Sequence, residues 1–178
     1  MKKIVRIVLT TCILMLALSP VVRADHAKPP ADNSSAELKQ IKSLAGRWTA
    51  TTSMFGKKNQ KVFTEYQVTA GGSAVLETIF PGTPQEMASV YYDDNGKLAM
   101  THYCIMRNRP TFKLAKSTKD TFNLKVVKVE GLKSKKDPSM GDLTMVFKDN
   151  KHYSVTCNAK NMKHEKPMTM EWTRVKSK

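Results

Sequence analysis

Residues 74–104 contain three strand-like runs and two turns: Ala74-Val75-Leu76-Glu77-Thr78-Ile79-Phe80, Glu86-Met87-Ala88-Ser89-Val90-Tyr91-Tyr92 and Lys97-Leu98-Ala99-Met100-Thr101-His102-Tyr103-Cys104, separated by Pro81-Gly82-Thr83-Pro84-Gln85 and Asp93-Asp94-Asn95-Gly96. Within each run, β-branched and aromatic residues recur with a period of two, the mark of a half-buried strand. The breaks hold Gly, Pro, Asn and Asp, which favour tight turns for distinct steric and hydrogen-bonding reasons. Connections this short join only antiparallel neighbours.

The same grammar extends in both directions. Strands are predicted at 46–54, 61–69, 74–80, 86–92, 97–107, 110–117, 121–130, 142–149, 152–159 and 167–175, with further breaks at Gly56-Lys57-Lys58-Asn59, Gly71-Gly72 and Lys148-Asp149-Asn150-Lys151. No helix-length segment interrupts the series, so an all-β, antiparallel up-and-down meander is expected. Closing it into a barrel removes both sheet edges. Since about eight strands already accommodate a small ligand, ten leave room for an internal cavity. Ahead of the strands, Ser34 or Ser35 caps a predicted short helix through Leu44, with Leu38, Ile41 and Leu44 on one face and Glu37 in its first turn; Gly46 ends it.

The N-terminus has a different character. Lys2, Lys3 and Arg6 precede an apolar run from Ile7 to Leu18, followed by Val22-Arg23-Ala24. This is the layout of a secretory signal peptide cut after Ala24, and the run is short of the roughly 20 residues a membrane span needs. Cys12 lies inside the apolar run, where a lipid-acceptor cysteine would have to follow it. The expected organisation is a signal peptide over 1–24, a flexible tether over 25–35 and a barrel domain over 36–178, with a periplasmic or secreted location.

The chain has 178 residues, 30 Lys and Arg against 15 Asp and Glu, and 40% apolar residues, which excludes a disordered tail and a disulfide-dense miniprotein. Loss of 1–24 would remove four basic residues and no acidic ones, leaving a charge of about +11. Export argues against a nucleic-acid partner for that charge. The Lys residues are spread along the chain, with one denser knot at Lys133, Lys135 and Lys136, so the choices are a solvated Lys coat or attraction to an anionic envelope surface.

Leu44-Ala45-Gly46-Arg47-Trp48 resembles the Gly-x-Trp opening of the calycin superfamily, which includes lipocalins and fatty-acid-binding proteins. In that superfamily the Trp closes one barrel end and a basic residue from the last strand packs over it. The resemblance gives Gly46, Trp48 and Arg174 that structural role, a guanidinium on an indole face. The stretch from Thr69 to Cys104, through Thr69 to Glu77, Pro81 to Met87 and Thr101 to Cys104, is similar to an uncharacterised family of bacterial calycin-like proteins and spans about a quarter of the chain beyond Ala24. The architecture also resembles nitrobindin-type haem barrels, whose ligand is a His near the C-terminal strand. Residues 167–175 hold no His, and His164 lies just before them.

Pairing Phe80 with Glu86 sets Glu77 opposite Ser89; pairing Tyr92 with Lys97 sets Ser89 opposite Met100 and Met87 opposite His102. Alternation then gathers Val75, Glu77, Ile79, Met87, Ser89, Tyr91, Leu98, Met100, His102 and Cys104 on one face. The opposite face, with Leu76, Thr78, Phe80, Val90 and Tyr103, is no more polar, so parity alone leaves the inward face open. A few polar groups on an apolar wall orient a guest, which makes Glu77, Ser89, Met100, His102 and Cys104 the candidate ligand-binding set.

Each of these has a plainer reading. Glu77 and His102 form a satisfied buried pair, or Glu77 meets a Lys, or the two orient a ligand, or they exchange protons. No activated nucleophile or oxyanion site accompanies them, and G-x-S-x-G and H-E-x-x-H are absent from the sequence, so no enzyme is expected. His102 and Cys104 point the same way from one strand and are weak candidate metal ligands, with Glu77 as a third. Cys104 and Cys157 fall on the fifth and ninth strands, which are not neighbours, so free thiols are expected. Met87, Met100, Met145, Met168 and Met170 fill core positions more readily than they bind copper. The expectation is therefore a non-enzymatic carrier or sensor of a small apolar or amphipathic ligand, with no cofactor. The alternatives are a haem or metal barrel and an envelope interaction protein with a filled core.

Overall fold

In the computed structural model, residues 31–54, 56, 58–162 and 166–176 are described. Helix α1 (Ala36–Lys42) precedes strands β1 (Gly46–Thr52), β2 (Gln60–Thr69), β3 (Ala74–Ile79), β4 (Met87–Asp94), β5 (Lys97–Tyr103), β6 (Arg109–Ser117), β7 (Thr121–Glu130), β8 (Ser139–Phe147), β9 (His152–Lys160) and β10 (Met168–Arg174). Each strand pairs antiparallel with its chain neighbours, and β1 pairs with β10, closing a ten-stranded barrel. The signal peptide expected over 1–24 and most of the tether expected over 25–35 lie outside the described residues. Asp32 accepts from Ser34 N and the Lys42 ammonium, and Ser35 donates to Asp93 through both N–H and hydroxyl.

The Ser35 hydroxyl caps α1 by accepting from Leu38 N–H at 3.0 Å, and Glu37 complements the positive end of the helix. The face Leu38, Ile41, Leu44 is buried against β2, β3, β4 and β5 and covers the barrel end at which β1 begins. The opposite end, carrying the β1–β2, β3–β4, β5–β6, β7–β8 and β9–β10 connections, has no such cover among the described residues. It is called the mouth below.

One register differs from expectation. Asp94 pairs with Lys97 and Tyr92 with Ala99, so Ser89 sits opposite His102 and Tyr91 opposite Met100. The turn is the two-residue Asn95-Gly96, with φ of 53° and 75°, the left-handed pair that matches strand twist in a tight hairpin. The strands therefore run two residues further than Tyr92 and Lys97 would allow. A two-residue slip keeps every side chain on its face, so the predicted grouping survives. Strand β5 also stops at Tyr103, because Arg107 N–H turns back to Cys104 O at 2.9 Å and Arg107 adopts φ of 61°.

The inward face is the one with Val75, Glu77, Ser89, Tyr91, Leu98, Met100 and His102, all buried. Phe80, assigned to the opposite face, is buried as well, since its φ of 56° takes it out of strand alternation.

Candidate functional site

Glu77 stands on β3 inside the barrel and is only 6% exposed. Its Oε1 accepts from Tyr66 OH at 2.7 Å and Thr64 Oγ1 at 3.1 Å, and its Oε2 from Tyr91 OH at 2.9 Å. The Tyr66 hydroxyl in turn meets Tyr153 OH at 3.0 Å. Burial raises the Glu77 pKa, while the hydroxyls of Tyr66, Tyr91, Thr64 and Ser89 pull it back. The three tyrosines are held well above their usual range, first by burial and then by the Glu77 charge, so they remain donors. Glu77 is thus satisfied by phenols and a threonine, and His102 is not its hydrogen-bonding partner. Ring contacts among Trp48, Tyr66, Tyr153, Phe122, Phe147 and Trp172 fill the half of the interior beneath α1.

His102 instead meets Ser89 across the β4–β5 pair, Nδ1 to Oγ at 3.0 Å. The residue is 2% exposed, and burial lowers its pKa to about 4, so the ring is neutral at physiological pH. Its Nε2 is buried without a hydrogen-bond partner, as are Asn108 Oδ1 and Gln60 Oε1. All three residues sit towards the mouth: His102 near the end of β5, Asn108 just before β6, and Gln60 at the start of β2. An orphaned polar atom in a buried setting costs about 1–3 kcal/mol, so each of them marks a place where a polar partner would be favourable.

Side-chain exposure grades along the barrel axis. On β10, Trp172 is 4% exposed, Met170 8% and Met168 39%. On β9, buried Tyr153 gives way to half-buried Val155 and Cys157; on β3 and β4, Glu77 and Ser89 give way to half-buried Ile79 and Met87. Inward-pointing Ile79, Met87, Val155, Cys157 and Met168 thus keep partial solvent contact at the mouth end, beyond the buried Ser89, His102 and Met170. The described grooves lie elsewhere: one of about 290 Å³ between α1 and the β8–β9 turn, lined by Leu44, Trp48, Phe147 and Arg174 among others, and one of about 270 Å³ around Arg47, Glu65 and Thr78.

Of the predicted ligand set, Glu77, Ser89, Met100 and His102 share the interior, and Cys104 lies one residue beyond β5, half-buried, donating its N–H to Asn108 O. Cys104 and Cys157 are free thiols. Burial raises both; Cys157 is pushed to about 12, with the charge of Cys104 adding to the effect, so the two stand within electrostatic reach of one another. Among the described residues, no group of three or more His, Cys, Asp and Glu side chains stands close enough to hold a metal ion. Strand β10 brings no imidazole inward, and His164 lies outside the described residues.

The closure residues meet as expected. Trp48 pairs with Arg174 across β1 and β10, and the guanidinium carbon lies 4.2 Å from the indole centroid. Arg174 donates to Ser43 O at 2.7 Å, Ala45 O at 2.8 Å and Asn150 O at 2.9 Å, and Trp48 Nε1 donates to Leu44 O at 2.7 Å. Gly46 lies between them at φ of 117°, a conformation that favours glycine, and a Cβ there would stand 3.4 Å from the guanidinium.

Sequence reasoning missed Thr64, Tyr66 and Tyr153 as partners of the central carboxylate network, and Gln60 and Asn108 near the mouth. Period two on β2 would have put Gln60, Val62, Thr64 and Tyr66 on one face, but no local pattern pairs β2 with β9 across the interior.

No protein-family model matches the chain, and no curated protein is found similar to it. Among solved structures it is similar to a redesigned β-barrel, at 7% identity and a TM-score of 0.35, over 77% of this chain and 95% of that one.

Proposed function

We propose that the protein is an exported, calycin-like, non-enzymatic binder that takes a small apolar or amphipathic molecule at the mouth end of the barrel, with His102 as its polar anchor. The observation that carries this reading is the buried, unpartnered His102 Nε2, at the end of the barrel where the apolar inward side chains of Ile79, Met87, Val155 and Met168 keep partial solvent contact. The Ser89 hydroxyl has a single proton and is among the groups that lower the Glu77 pKa. Donated towards Glu77, that proton leaves Ser89 Oγ to accept from Nδ1–H, and Nε2 then carries a lone pair. The favoured guest is therefore one with an apolar body and a hydrogen-bond donor, such as a hydroxyl or an amide N–H. Glu77, taking the hydroxyls of Tyr66, Thr64, Tyr91 and Ser89, fixes these groups and does not touch the guest.

Titration of a fluorescent apolar probe carrying a hydroxyl, followed by competition with unlabelled alcohols, tests the proposal. His102→Ala should weaken binding about 5- to 150-fold, the equivalent of roughly 1–3 kcal/mol for a lost buried hydrogen bond, with the barrel still folded by circular dichroism. A filled-core interaction protein is favoured by the aromatic packing beneath α1; it predicts no saturable probe binding to wild type, and that result sinks the binder reading.

A further inference from the structure

Among the described residues, most of the exposed large apolar side chains stand at the mouth, together with unpaired cations. Of the six large hydrophobic residues exposed on the described surface, Met54, Tyr103, Ile105 and Met168 lie on its rim, at 39–50% exposure. Tyr103 ends β5, Ile105 lies in the β5–β6 loop, Met54 follows β1 and Met168 opens β10. Around them the described mouth loops carry Lys58, Arg107, Lys133, Lys135, Lys136 and Lys166, all exposed, against the acids Glu86 and Asp137. Among the described residues none of those six cations makes an ion pair. The two acids are engaged in their own loops, Glu86 accepting from Gly82 N–H and Asp137 from Lys133 and Ser134 N–H. Loops at the opposite end are nearly balanced, with Lys119, Lys148 and Lys151 against Asp120 and Asp149, and Lys148 is paired with Glu171.

From this one-ended arrangement we infer that the mouth docks on an anionic phospholipid bilayer, with Ile105, Met54, Tyr103 and Met168 inserting among the headgroups and the Lys/Arg collar meeting lipid phosphates. Apolar side chains together with cations at one barrel end satisfy both requirements of an interfacial contact, burial of apolar area and attraction to a negative surface. A free polyanion needs only the second. The dense cations at Lys133, Lys135 and Lys136 occupy a single loop, β7–β8, held by the Asp137 caps. Docked this way, the mouth end faces the membrane. The inference does not depend on the proposed ligand, because among the described residues no cation of the mouth loops is hydrogen-bonded to the His102 side chain.

Flotation with phosphatidylglycerol–phosphatidylcholine vesicles, against phosphatidylcholine alone, tests it. The protein is purified as it is produced in its native host, and every variant is compared in that same form. Wild type should float with the anionic vesicles and not with the neutral ones. Ile105→Glu should reduce binding about tenfold or more. The triple variant Lys133→Ser/Lys135→Ser/Lys136→Ser should lose about fivefold per Lys at low salt and show a weaker salt dependence. Lys148→Ser/Lys151→Ser, at the other end, and His102→Ala should leave flotation unchanged, and thermal melts should show each variant folded. Equal loss from charges at either end, or capture by a soluble polyanion with no dependence on Ile105, overturns the inference. So does failure of wild type to float.

Discussion

Replacing His102 by Gln should flatten the acid limb of the protein's stability curve. His102 is buried beside Ser89, and burial lowers its pKa from 6.5 to about 4. A base whose folded pKa lies below its unfolded value takes up its proton first in the unfolded chain. The stability tied to its neutral form is therefore present above pH 6.5 and is lost as pH falls towards 4. At 1.36 kcal/mol per pKa unit, that window carries about 3 kcal/mol. Glu77 has a raised pKa and acts in the opposite sense, gaining stability on protonation, but it is present in both proteins and largely cancels in the comparison. Urea melts at half-unit steps from pH 7 to pH 4, extrapolated to water, give both curves. Wild type should lose about 3 kcal/mol more than His102→Gln across the window. Parallel curves would refute the reasoning, because His102 would then titrate alike in folded and unfolded chains and could not be the buried neutral base described here.

Three further outcomes follow from the same geometry. Arg174→Lys should lower stability by about 2 kcal/mol, since an ammonium cannot reproduce the flat contact with Trp48 while serving the Ser43, Ala45 and Asn150 carbonyls; a thermal melt indistinguishable from wild type would remove the barrel-closing role. Glu77→Gln puts an amide N–H₂ where Tyr66, Thr64 and Tyr91 all donate, and should cost about 1–3 kcal/mol by urea melt, without the selective loss of probe binding expected of His102→Ala. Cys157, with its thiol at about 12 against an ordinary 9.0, should be alkylated by iodoacetamide at pH 7.5 about a thousandfold more slowly in the folded protein than in urea, read by peptide mass spectrometry; equal rates would place it in an unperturbed setting.

The sequence by itself determined the strands, the turns and which residues share a face. Those follow from local chemistry: period-two alternation, Asn95-Gly96 at a left-handed turn, and connections too short to leave the antiparallel neighbour. The grouping of Glu77, Ser89, Met100 and His102 tolerated a two-residue error in register because side chains alternate with a period of two. The Gly46, Trp48, Arg174 closure was legible too, but only through a resemblance, since a contact between the first and last strands has no local signal. Tertiary structure alone decided which of two equally apolar faces turned inward, because that depends on the sense in which the whole sheet curls. It also decided what each polar group met. Closure brings Tyr66 of β2 and Tyr153 of β9, 87 residues apart in the chain, into hydroxyl contact beside Glu77, and the hydroxyls of Tyr66, Tyr91 and Thr64 take the carboxylate that pattern reasoning had offered to His102. Left to Ser89 on one side only, the imidazole keeps a nitrogen without a partner, and no reading of neighbouring residues could have shown it, because an unsatisfied atom is a property of the assembled interior.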